Sequence, residues 1–517
     1  MRRLRTSAIV SRVWGWVWIG WVGILALAAI AAGQSPEEKT AKYMESVRHQ
    51  PELLLPFLQA MPKGGDLHVH LYGAIYAESM IDWASENALC VDRSTSKLIH
   101  AACDSCEPYR NKPSVRCAYQ DHILYDQLVD AWSMRNWHAA EESGHDRFFA
   151  TFEKFGPALD KHIGDALAEI ASRAAADHLQ YVELMHTADG AGAAMLGAKV
   201  GWDDDFGKLR DNLLAGGMAD VVASVRSQLD ADEARKKEVL HCGTAQAAAG
   251  CEVAIRYLYQ VLRGLPREQV FAQILLGFEL TKADARFVGF NLVMPEDYYV
   301  PMHDFDLHMR IIKALHKFYP ATHVSLHADE LAMGLVPPEG LRFHIRESIE
   351  RAGAERIGHG VAVMSEDDPI GLLQEMAKKN VLVEICLTSN DVILGVSGDR
   401  HPLPVYMKYG VPVALATDDE GVSRSDMTHE YLRAAETYGL SYGELKRMAR
   451  ASLEHSFIPG DSLWGDEREL RRAAACEGEK AAGDRLSGKC EKWIGANERA
   501  RVQWELERAF AEFEKSY

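Results

Sequence analysis

Eight short apolar runs, separated by segments with helical patterning, predict an α/β fold: a (β/α)8 TIM-type barrel with helical inserts and a helical C-terminal extension. The runs are almost continuously apolar, which is the pattern of parallel strands buried on both faces. Polar residues also follow several runs directly, where a barrel of this type exposes its catalytic groups. Both observations place a reaction site at one end of the barrel.

The elements follow in chain order. A helical segment at 36–60 leads into a first strand that contains residues 67–70. The other seven strands are predicted at 179–185, 270–276, 287–293, 323–327, 356–361, 381–386 and 411–417. Helical patterning is clear at 303–318, 338–352 and 369–379. A polar helical insert is expected at 200–263, and an amphipathic helix at 497–513.

Three regions are expected along the chain: a leader at 1–33, the barrel with cysteine-bearing inserts at 34–460, and a helical extension packed on it at 461–517. The leader combines a basic start with an apolar run that ends in small residues, which is typical of a secretory signal peptide. Its apolar run also reaches the ~20 residues that can span a bilayer, so an uncleaved anchor is the alternative. We therefore expect export to the periplasm or the medium, with membrane contact only through an uncleaved leader.

The formal net charge of the 517-residue chain is −18. Nucleic acid and anionic membranes require a basic surface, so neither is expected as a main partner. The expected partner is a small molecule.

Nine cysteines are interpretable once export is assumed. Cys386 lies in an apolar strand and is expected to be a buried free thiol. An even number outside the core favours disulfides in an oxidising compartment. Cys242–Cys251 and Cys476–Cys490 are the expected local pairs. Pairing stays open among the other four, Cys90, Cys103, Cys106 and Cys117; the Cys-x-x-Cys spacing of Cys103 and Cys106 would suit half a zinc site, but the chain has no second such pair.

The prediction of a site begins with His68 and His70, which are separated only by Val69. Two residues at this spacing point the same way only on an extended strand. Neutral imidazole is a good zinc ligand, so the pair could form half of a zinc site. Two structural histidines would show the same spacing, and the other ligands must therefore come from other strands.

Later strand ends supply the missing groups. His327 adds a third nitrogen and Asp418 an oxygen, which leaves one position open for water on a single Zn²⁺ ion per chain. Zinc lowers the pKa of bound water from 15.7 towards ~7 and so makes hydroxide available. Glu330, one turn past His327, could donate a proton to the substrate. His359 could accept the proton of the water or steer the hydroxide, and Asp419 could hold the hydroxide or a ring nitrogen.

These residues resemble the motifs of the adenosine deaminase family of metal-dependent hydrolases. The resembling segments are Met61-Pro62-Lys63, Leu67-His68-Val69-His70, His327-Ala328-Asp329-Glu330, Arg356-Ile357-Gly358-His359-Gly360, Ser389-Asn390 and Thr417-Asp418-Asp419. They occur in the order of the family over about residues 61–453. The exported, cysteine-bearing character is similar to the secreted, growth-factor-related branch of that family.

The resemblance implies a role for each matching residue. Zinc would be bound by His68, His70, His327 and Asp418. Glu330 would protonate purine N1, His359 would assist the hydroxide, and Asp419 would hydrogen-bond in the same site. The metal-bound hydroxide would add to purine C6 and ammonia would leave, so adenosine or 2′-deoxyadenosine would become the corresponding inosine.

Four positions depart from the family pattern and concern the substrate more than the chemistry. Tyr72 stands where an aspartate is common, and Met294 and Asp329 stand where glycines are common. Glu420 replaces a proline. Substrate contacts are expected from Tyr72, Gly73, Met294 and Asp419.

Two alternatives therefore stay open: a deaminase of another aminopurine or a modified adenosine, and a catalytically silent nucleoside-binding protein. A cytidine-deaminase-type site is excluded, because it requires His-x-Glu together with Pro-Cys-x-x-Cys.

Overall fold

The structure is a computed structural model that describes residues 34–107, 110–466, 470–483 and 486–517. The predicted leader, residues 1–33, lies outside the described residues. Among the described helices, none combines the length and the apolar character that a membrane crossing requires.

Eight parallel strands form one sheet in which each strand pairs with the next in the chain. This arrangement confirms the predicted (β/α)8 barrel. The strands are β1 Gly64–His70, β2 Leu179–His186, β3 Ala254–Leu262, β4 Phe287–Val293, β5 His323–Ala328, β6 Arg356–His359, β7 Leu382–Ile385 and β8 Val413–Leu415.

The barrel closes at the predicted metal ligands. The backbone N–H of His70 donates to the carbonyl of Asp418 (3.1 Å), and the N–H of Asp418 donates to the carbonyl of His68 (2.8 Å). The segment after β8 is thereby joined to the end of β1, and three of the predicted ligands are held by backbone hydrogen bonds.

Helices surround the barrel and fill its inserts. The first begins at Ser35, whose side chain accepts the N–H of Glu38 while the Glu38 carboxylate accepts the N–H of Ser35, a capping box that satisfies free amides. The α-helices of the described ranges are Pro36–Val47, Pro51–Ala60, Ala77–Glu86, His122–Ala131, Gly144–Phe155, Ile163–Ala176, Gly192–Val200, Phe206–Leu213, Ala219–Val239, Arg267–Ala283, Tyr299–His303, Phe305–His316, His344–Glu347, Pro369–Lys379, Leu387–Leu394, Leu403–Tyr409, Glu420–Ser423, Met427–Thr437, Tyr442–Glu454, Gly488–Ala496 and Glu498–Phe513.

The predicted third strand is wrong. Residues 270–276 lie in the helix Arg267–Ala283, and β3 is Ala254–Leu262, which the prediction had placed in the helical insert. A short apolar run suits a buried strand or a buried helix equally, and every residue from Val270 to Phe278 is buried. In β3, the polar Arg256 and Gln260 had hidden the strand pattern.

Two further segments differ from the predictions. Residues 338–352 form one α-helical turn, His344–Glu347, flanked by a 3₁₀ turn and a π turn instead of one helix. The extension after β8 is not entirely helical, because Trp464–Asp466 pairs with Arg471–Arg472 in a small antiparallel sheet. Arg472 stacks on Trp504 of the final helix, 4.9 Å from the ring centre, which gives this sheet a packing surface.

The final helix, Glu498–Phe513, packs on the helix Tyr442–Glu454 through buried ion pairs. The guanidinium of Arg450 lies 2.6 Å from the Glu507 carboxylate, and the ammonium of Lys446 lies 2.5 Å from Glu514. Tyr442 also donates a hydrogen bond to Glu514 (2.9 Å).

All eight insert cysteines form disulfides. The two expected local pairs, Cys242–Cys251 and Cys476–Cys490, are confirmed. The open pairing resolves as Cys90–Cys103 and Cys106–Cys117, which removes the half zinc site. Cys386 is a buried free thiol, as predicted.

Candidate active site

Four histidine rings meet at the carboxyl end of the barrel. The ring of His68 lies 5.4 Å from that of His70, 4.4 Å from that of His327 and 4.8 Å from that of His359, measured between ring centres. Asp418 joins them, with Oδ1 3.6 Å from His68 Nε2 and 3.3 Å from His70 Nε2. Residues far apart in the sequence thus form one buried cluster.

The cluster has the geometry of a metal site. One ligand atom from each of His68, His327, His359 and Asp418 lies within 4.8 Å of the others, and the same holds for His70, Asp418 and Asp419. All four predicted ligands are therefore together. The predicted catalytic residues His359 and Asp419 lie equally close, so proximity alone does not separate ligands from catalytic groups.

Each predicted histidine ligand has a partner on its Nδ1 atom. His68 Nδ1 lies 2.6 Å from Glu384, His70 Nδ1 lies 2.9 Å from Gln260 Oε1, and His327 Nδ1 lies 2.9 Å from Asn291 Oδ1. An acceptor on Nδ1 places the proton there and leaves Nε2 as the bare nitrogen. His68 Nε2 is buried with no hydrogen-bond partner, which fits a bound cation better than an empty space.

The charges of the cluster suit a cation. Burial alone would lower the pKa of His68, but the nearby carboxylates of Asp418 and Glu384 raise it to about 10, so the metal-free cluster holds a proton. Burial and the neighbouring imidazoles hold the pKa of His327 well below its ordinary value, so this ring is neutral. Burial alone would raise the pKa of Asp418, but its hydrogen bonds with His68 and His70 hold it well below the usual value. Ser389 Oγ donates to the second carboxylate oxygen of Asp418 (2.5 Å).

Glu330 lies in the loop after β5, with one carboxyl oxygen 3.7 Å from His359 Nε2. The carboxylate of Glu296 accepts the N–H groups of Asp329 (3.2 Å) and Glu330 (2.8 Å) and so holds this loop. Burial, with the charges of Asp418 and Glu296, raises the pKa of Glu330 well above its ordinary value. A carboxyl group that stays protonated at neutral pH can donate a proton.

Asp419 and Gly73 fit against each other. A Cβ atom on Gly73 would lie 1.6 Å from Asp419 Oδ1, so only glycine leaves room for this carboxyl group. Asp419 Oδ1 is buried and has no hydrogen-bond partner, and burial with the charge of Asp418 raises the pKa of Asp419 well above its ordinary value. Gly73 therefore positions Asp419, a role in addition to the substrate contact that was predicted for Gly73.

The remaining predicted substrate residues, Tyr72 and Met294, stand just after the ends of β1 and β4. Tyr72 is half-buried, and burial raises the pKa of its phenol. Met294 follows β4, and its sulfur lies 3.3 Å from the backbone nitrogen of Gly264. Met294 and Asp329, which stand at positions where the family commonly has glycine, keep a left-handed backbone, with φ of 87° and 59°. These two departures therefore preserve the backbone that glycine would adopt.

The sequence reasoning missed five residues that hold the site: the buried Asn291, Glu296, Glu384 and His401, and the partly buried Gln260. Asn291 and Glu384 are single polar residues within otherwise apolar strands, a signal that could have identified them, whereas Gln260 shares β3 with Arg256. Glu296 and His401 lie in loops, and their roles depend on contacts across the barrel that no local pattern reveals.

The fold and the cluster define a class: a (β/α)8 barrel with a candidate metal centre and a protonatable acid at the carboxyl ends of its strands. A family model described as "Adenosine deaminase" matches residues 120–465, well over half of the chain. The chain belongs to the adenosine deaminase family. The match begins after β1, so His68 and His70 lie outside it, and the structure brings them to the matched residues.

Two similar proteins illustrate this relationship. The adenosine deaminase of Escherichia coli (strain SE11) is 34% identical over 156 residues, which cover 30% of this chain and 42% of that protein. The match thus spans less than half the length of that relative. The solved structure of an adenine deaminase from Arthrobacter aurescens aligns with a TM-score of 0.50 at 17% identity, covering 79% of this chain and 97% of that one. At this identity the likeness concerns the fold.

Proposed function

We propose that this protein is a zinc-dependent deaminase that converts adenosine or 2′-deoxyadenosine and water into the corresponding inosine and ammonia. The observation that carries the proposal is the position of the buried Glu330 carboxyl group, 3.7 Å from His359 Nε2, beside the cluster of His68, His70, His327 and Asp418. Family membership and the site geometry support hydrolysis at the amino-bearing carbon of a purine.

The donor set fits one zinc ion. Three bare imidazole nitrogens and one carboxylate oxygen are ligands that zinc prefers, and His68, His70, His327 and Asp418 would hold it. When bound, zinc supplies Lewis acidity and activates water near neutral pH. The Glu384 contact with His68 and the Ser389 contact with Asp418 orient two of these ligands.

The chain's own groups supply the proton transfer and the orientation. Glu330 carries the proton that purine N1 receives when the oxygen of water bonds to C6. Asp419, seated against Gly73 with a free buried oxygen, is placed to hydrogen-bond a ring nitrogen or the incoming water. His359 faces the same space, with its Nε2 atom 3.7 Å from a carboxyl oxygen of Glu330. The water oxygen gives up both of its protons: one goes to the amino group, which leaves as ammonia when the C6–N bond breaks, and the other restores Glu330.

The test is the ultraviolet absorbance of the zinc-loaded protein with adenosine, beside Glu330→Gln. We expect loss of the adenosine band with the parent protein and a rate about 10²–10⁴-fold lower with the variant, because general acid catalysis contributes that much. Glu430→Gln is the matched control, since Glu430 is also buried and accepts the backbone N–H of Thr388 instead of contacting the cluster. Zinc-loaded parent protein with no turnover of any aminopurine would contradict the proposal.

A second candidate is a deaminase of another aminopurine or of a modified adenosine. Tyr72 and Met294 favour it, because they stand just after two barrel strands at positions where the family commonly has an aspartate and a glycine. A substrate panel decides between the two. Turnover of a different aminopurine without turnover of adenosine would support the deamination chemistry and contradict adenosine as the substrate.

We also propose export through the leader at 1–33. Its basic and apolar pattern supports this, and so do four disulfides, which persist in oxidising compartments. N-terminal sequencing of protein recovered from the medium or the periplasm tests both export and cleavage. Retention of the whole leader in a membrane fraction would favour the anchor instead.

A further inference from the structure

A chain of three buried hydrogen bonds leads away from His359 on the side opposite the metal cluster. His359 Nδ1 lies 2.9 Å from Asn390 Nδ2, and Asn390 Oδ1 lies 3.0 Å from His401 Nε2. His401 Nδ1 lies 3.1 Å from the backbone nitrogen of Leu403. His359 and Asn390 are fully buried and His401 is 2% exposed, so these groups bond to one another instead of to bulk water.

The donor and acceptor of each of these hydrogen bonds follow from the last bond, between Leu403 and His401. A backbone N–H can only donate, so Leu403 donates to His401 Nδ1, which must be bare. Burial and the charge of Arg433 lower the pKa of His401 to about 4, so its ring is neutral and carries its one proton on Nε2. His401 therefore donates to Asn390 Oδ1.

The orientation of the Asn390 amide determines which nitrogen of His359 carries the proton. With its oxygen facing His401, its amide group presents Nδ2 to His359, and Nδ2 can only donate. His359 Nδ1 is thus an acceptor and bare. The one proton of the ring lies on Nε2, which is buried, has no hydrogen-bond partner and faces Glu330.

The metal-side histidines have the opposite arrangement. His68 Nδ1 faces the Glu384 carboxylate, which only accepts. His327 Nδ1 faces Asn291 Oδ1, and the orientation of that amide is fixed because the same oxygen accepts the backbone N–H of His327 (3.0 Å). Both rings therefore keep a proton on Nδ1, and Nε2 is the nitrogen that would bind a metal ion. His359 presents Nε2–H to the same centre, which separates it from the ligands where distance does not.

We propose that His401, acting through Asn390, is a positioning residue that holds His359 in the Nε2–H tautomer. His359 then donates a hydrogen bond to the oxygen that adds to the purine, and it has no bare nitrogen facing the site to accept the proton of water. The inference rests on the proposed deaminase function for its catalytic meaning, while the tautomer itself is a property of the folded chain.

The direct test is ¹⁵N NMR of protein labelled at histidine, metal-free and zinc-loaded, because protonated and bare imidazole nitrogens have well-separated shifts. His359→Gln identifies the resonances of His359. We expect the proton on Nε2 in the parent protein. Asn390→Asp should move it to Nδ1, because a carboxylate accepts from both His401 and His359. A parent His359 with its proton on Nδ1, or no change in Asn390→Asp, would overturn the proposal.

The kinetic test separates orientation from general damage. His401→Leu removes the donor to Asn390, and we expect kcat to fall about 10–100-fold, as for other residues that orient a site through a neighbour, with KM unchanged. His401→Gln restores a donor near the Nε2 position and should recover most of kcat. Asn390→Asp should lose at least as much kcat as His401→Leu while it keeps bound zinc.

His308→Leu is the matched control, because His308 is also fully buried but lies in the helix Phe305–His316, outside the hydrogen-bond chain. If His401→Leu does not fold, Asn390→Asp, which keeps size and satisfies both neighbours, decides the matter alone. Equal losses of kcat in the Leu and Gln variants of His401 would refute the role of the donor. A parent protein with the Nε2–H tautomer but no deaminase activity would contradict the proposed function and still support the positioning of His359 by His401 and Asn390.

Discussion

Single atoms decide the geometry around the candidate catalytic acids. Met294 and Asp329 have the left-handed backbone that glycine adopts most easily, and glycines are common at these positions in the family. Gly73 cannot be replaced in the same way, because the space for its Cβ is taken by the carboxyl group of Asp419. The backbone N–H groups of Gly421 and Val422 also donate to the Gly73 carbonyl, which ties this residue to the segment after Asp419.

Gly73→Ala should therefore disable the enzyme without unloading the metal. The added methyl group would lie 1.6 Å from Asp419 Oδ1 and must displace it. Because a displacement of about 1 Å at a reacting group can cost about 10²-fold, we expect kcat to fall at least that far, as measured by a deamination assay. Zinc content should stay at one ion per chain. Gly443→Ala is the control, since no atom lies within 4 Å of its Cβ position, and full activity of Gly73→Ala would contradict the role of this contact.

At the scale of elements, buried polar contacts position the strands that carry the site. Beneath the metal cluster, the guanidinium of Arg356 in β6 lies 2.6 Å from Glu183 in β2 and 2.7 Å from Glu384 in β7. Glu384 in turn contacts His68 in β1. This buried chain connects four strands, so the orientation of His68 depends on the packing of the barrel interior.

The entry to β1 depends on a second buried cation, Lys63. Its ammonium donates to the carbonyls of Gln59 (3.3 Å) and Met61 (2.9 Å), at the end of the helix Pro51–Ala60. It also donates to the carbonyl of Asp177 (2.9 Å), at the end of the helix Ile163–Ala176. One side chain thus joins two helix ends to the strand that bears His68.

Lys63→Met should destabilise the fold, because it removes the donor to two buried carbonyl groups and one partly buried carbonyl group. We expect the free energy of unfolding to fall by about 2–4 kcal/mol, measured by urea denaturation of the zinc-loaded protein. The same substitution at Lys42, which is exposed on the helix Pro36–Val47, should change it by less than about 0.5 kcal/mol. Equal effects at the two positions would show that Lys63 does not join these elements.

At the scale of the molecule, the candidate metal centre connects distant parts of the chain. His68 belongs to the first barrel strand, His327 to the fifth, and Asp418 follows the last. A ligand that binds only the folded state stabilises it, so a metal ion at this position stabilises the closed barrel as a whole.

Zinc should therefore raise the melting temperature, and the gain should grow with pH. The pKa of His68 in the metal-free fold, about 10, lies above its ordinary value of 6.5, so the stability that this proton contributes is complete below pH 6.5 and is lost as pH rises towards 10. Bound zinc takes the place of the His68 proton, so the zinc-loaded protein does not lose this stability as the pH rises.

For one displaced proton, the difference in unfolding free energy between loaded and metal-free protein should grow by about 1.4 kcal/mol per pH unit. Melting curves with and without zinc between pH 7 and 8.5 measure it. His68→Ala is the control and should show neither the gain nor its pH dependence. A gain that shrinks as pH rises would contradict proton displacement at His68.

Much of this protein could be predicted from its sequence. Seven of the eight strands, the convergence of His68, His70, His327 and Asp418, and two disulfides were predictable, because period, spacing and strand-end position are local features that carry directly into a barrel. The secreted, growth-factor-related branch and the export of the chain stay predictions.

The tertiary structure alone decided the rest. The third strand and the helix after it were exchanged in the prediction, because an apolar run does not record whether its neighbours are strands or helices. The partners of the imidazoles, Gln260, Asn291, Glu384 and the pair Asn390–His401, come from other parts of the chain. The residue type determines which metal a side chain can bind. Whether a histidine binds a metal or donates a hydrogen bond depends on its tautomer, which is set by the atom that contacts its other ring nitrogen. Only the closed barrel places that atom.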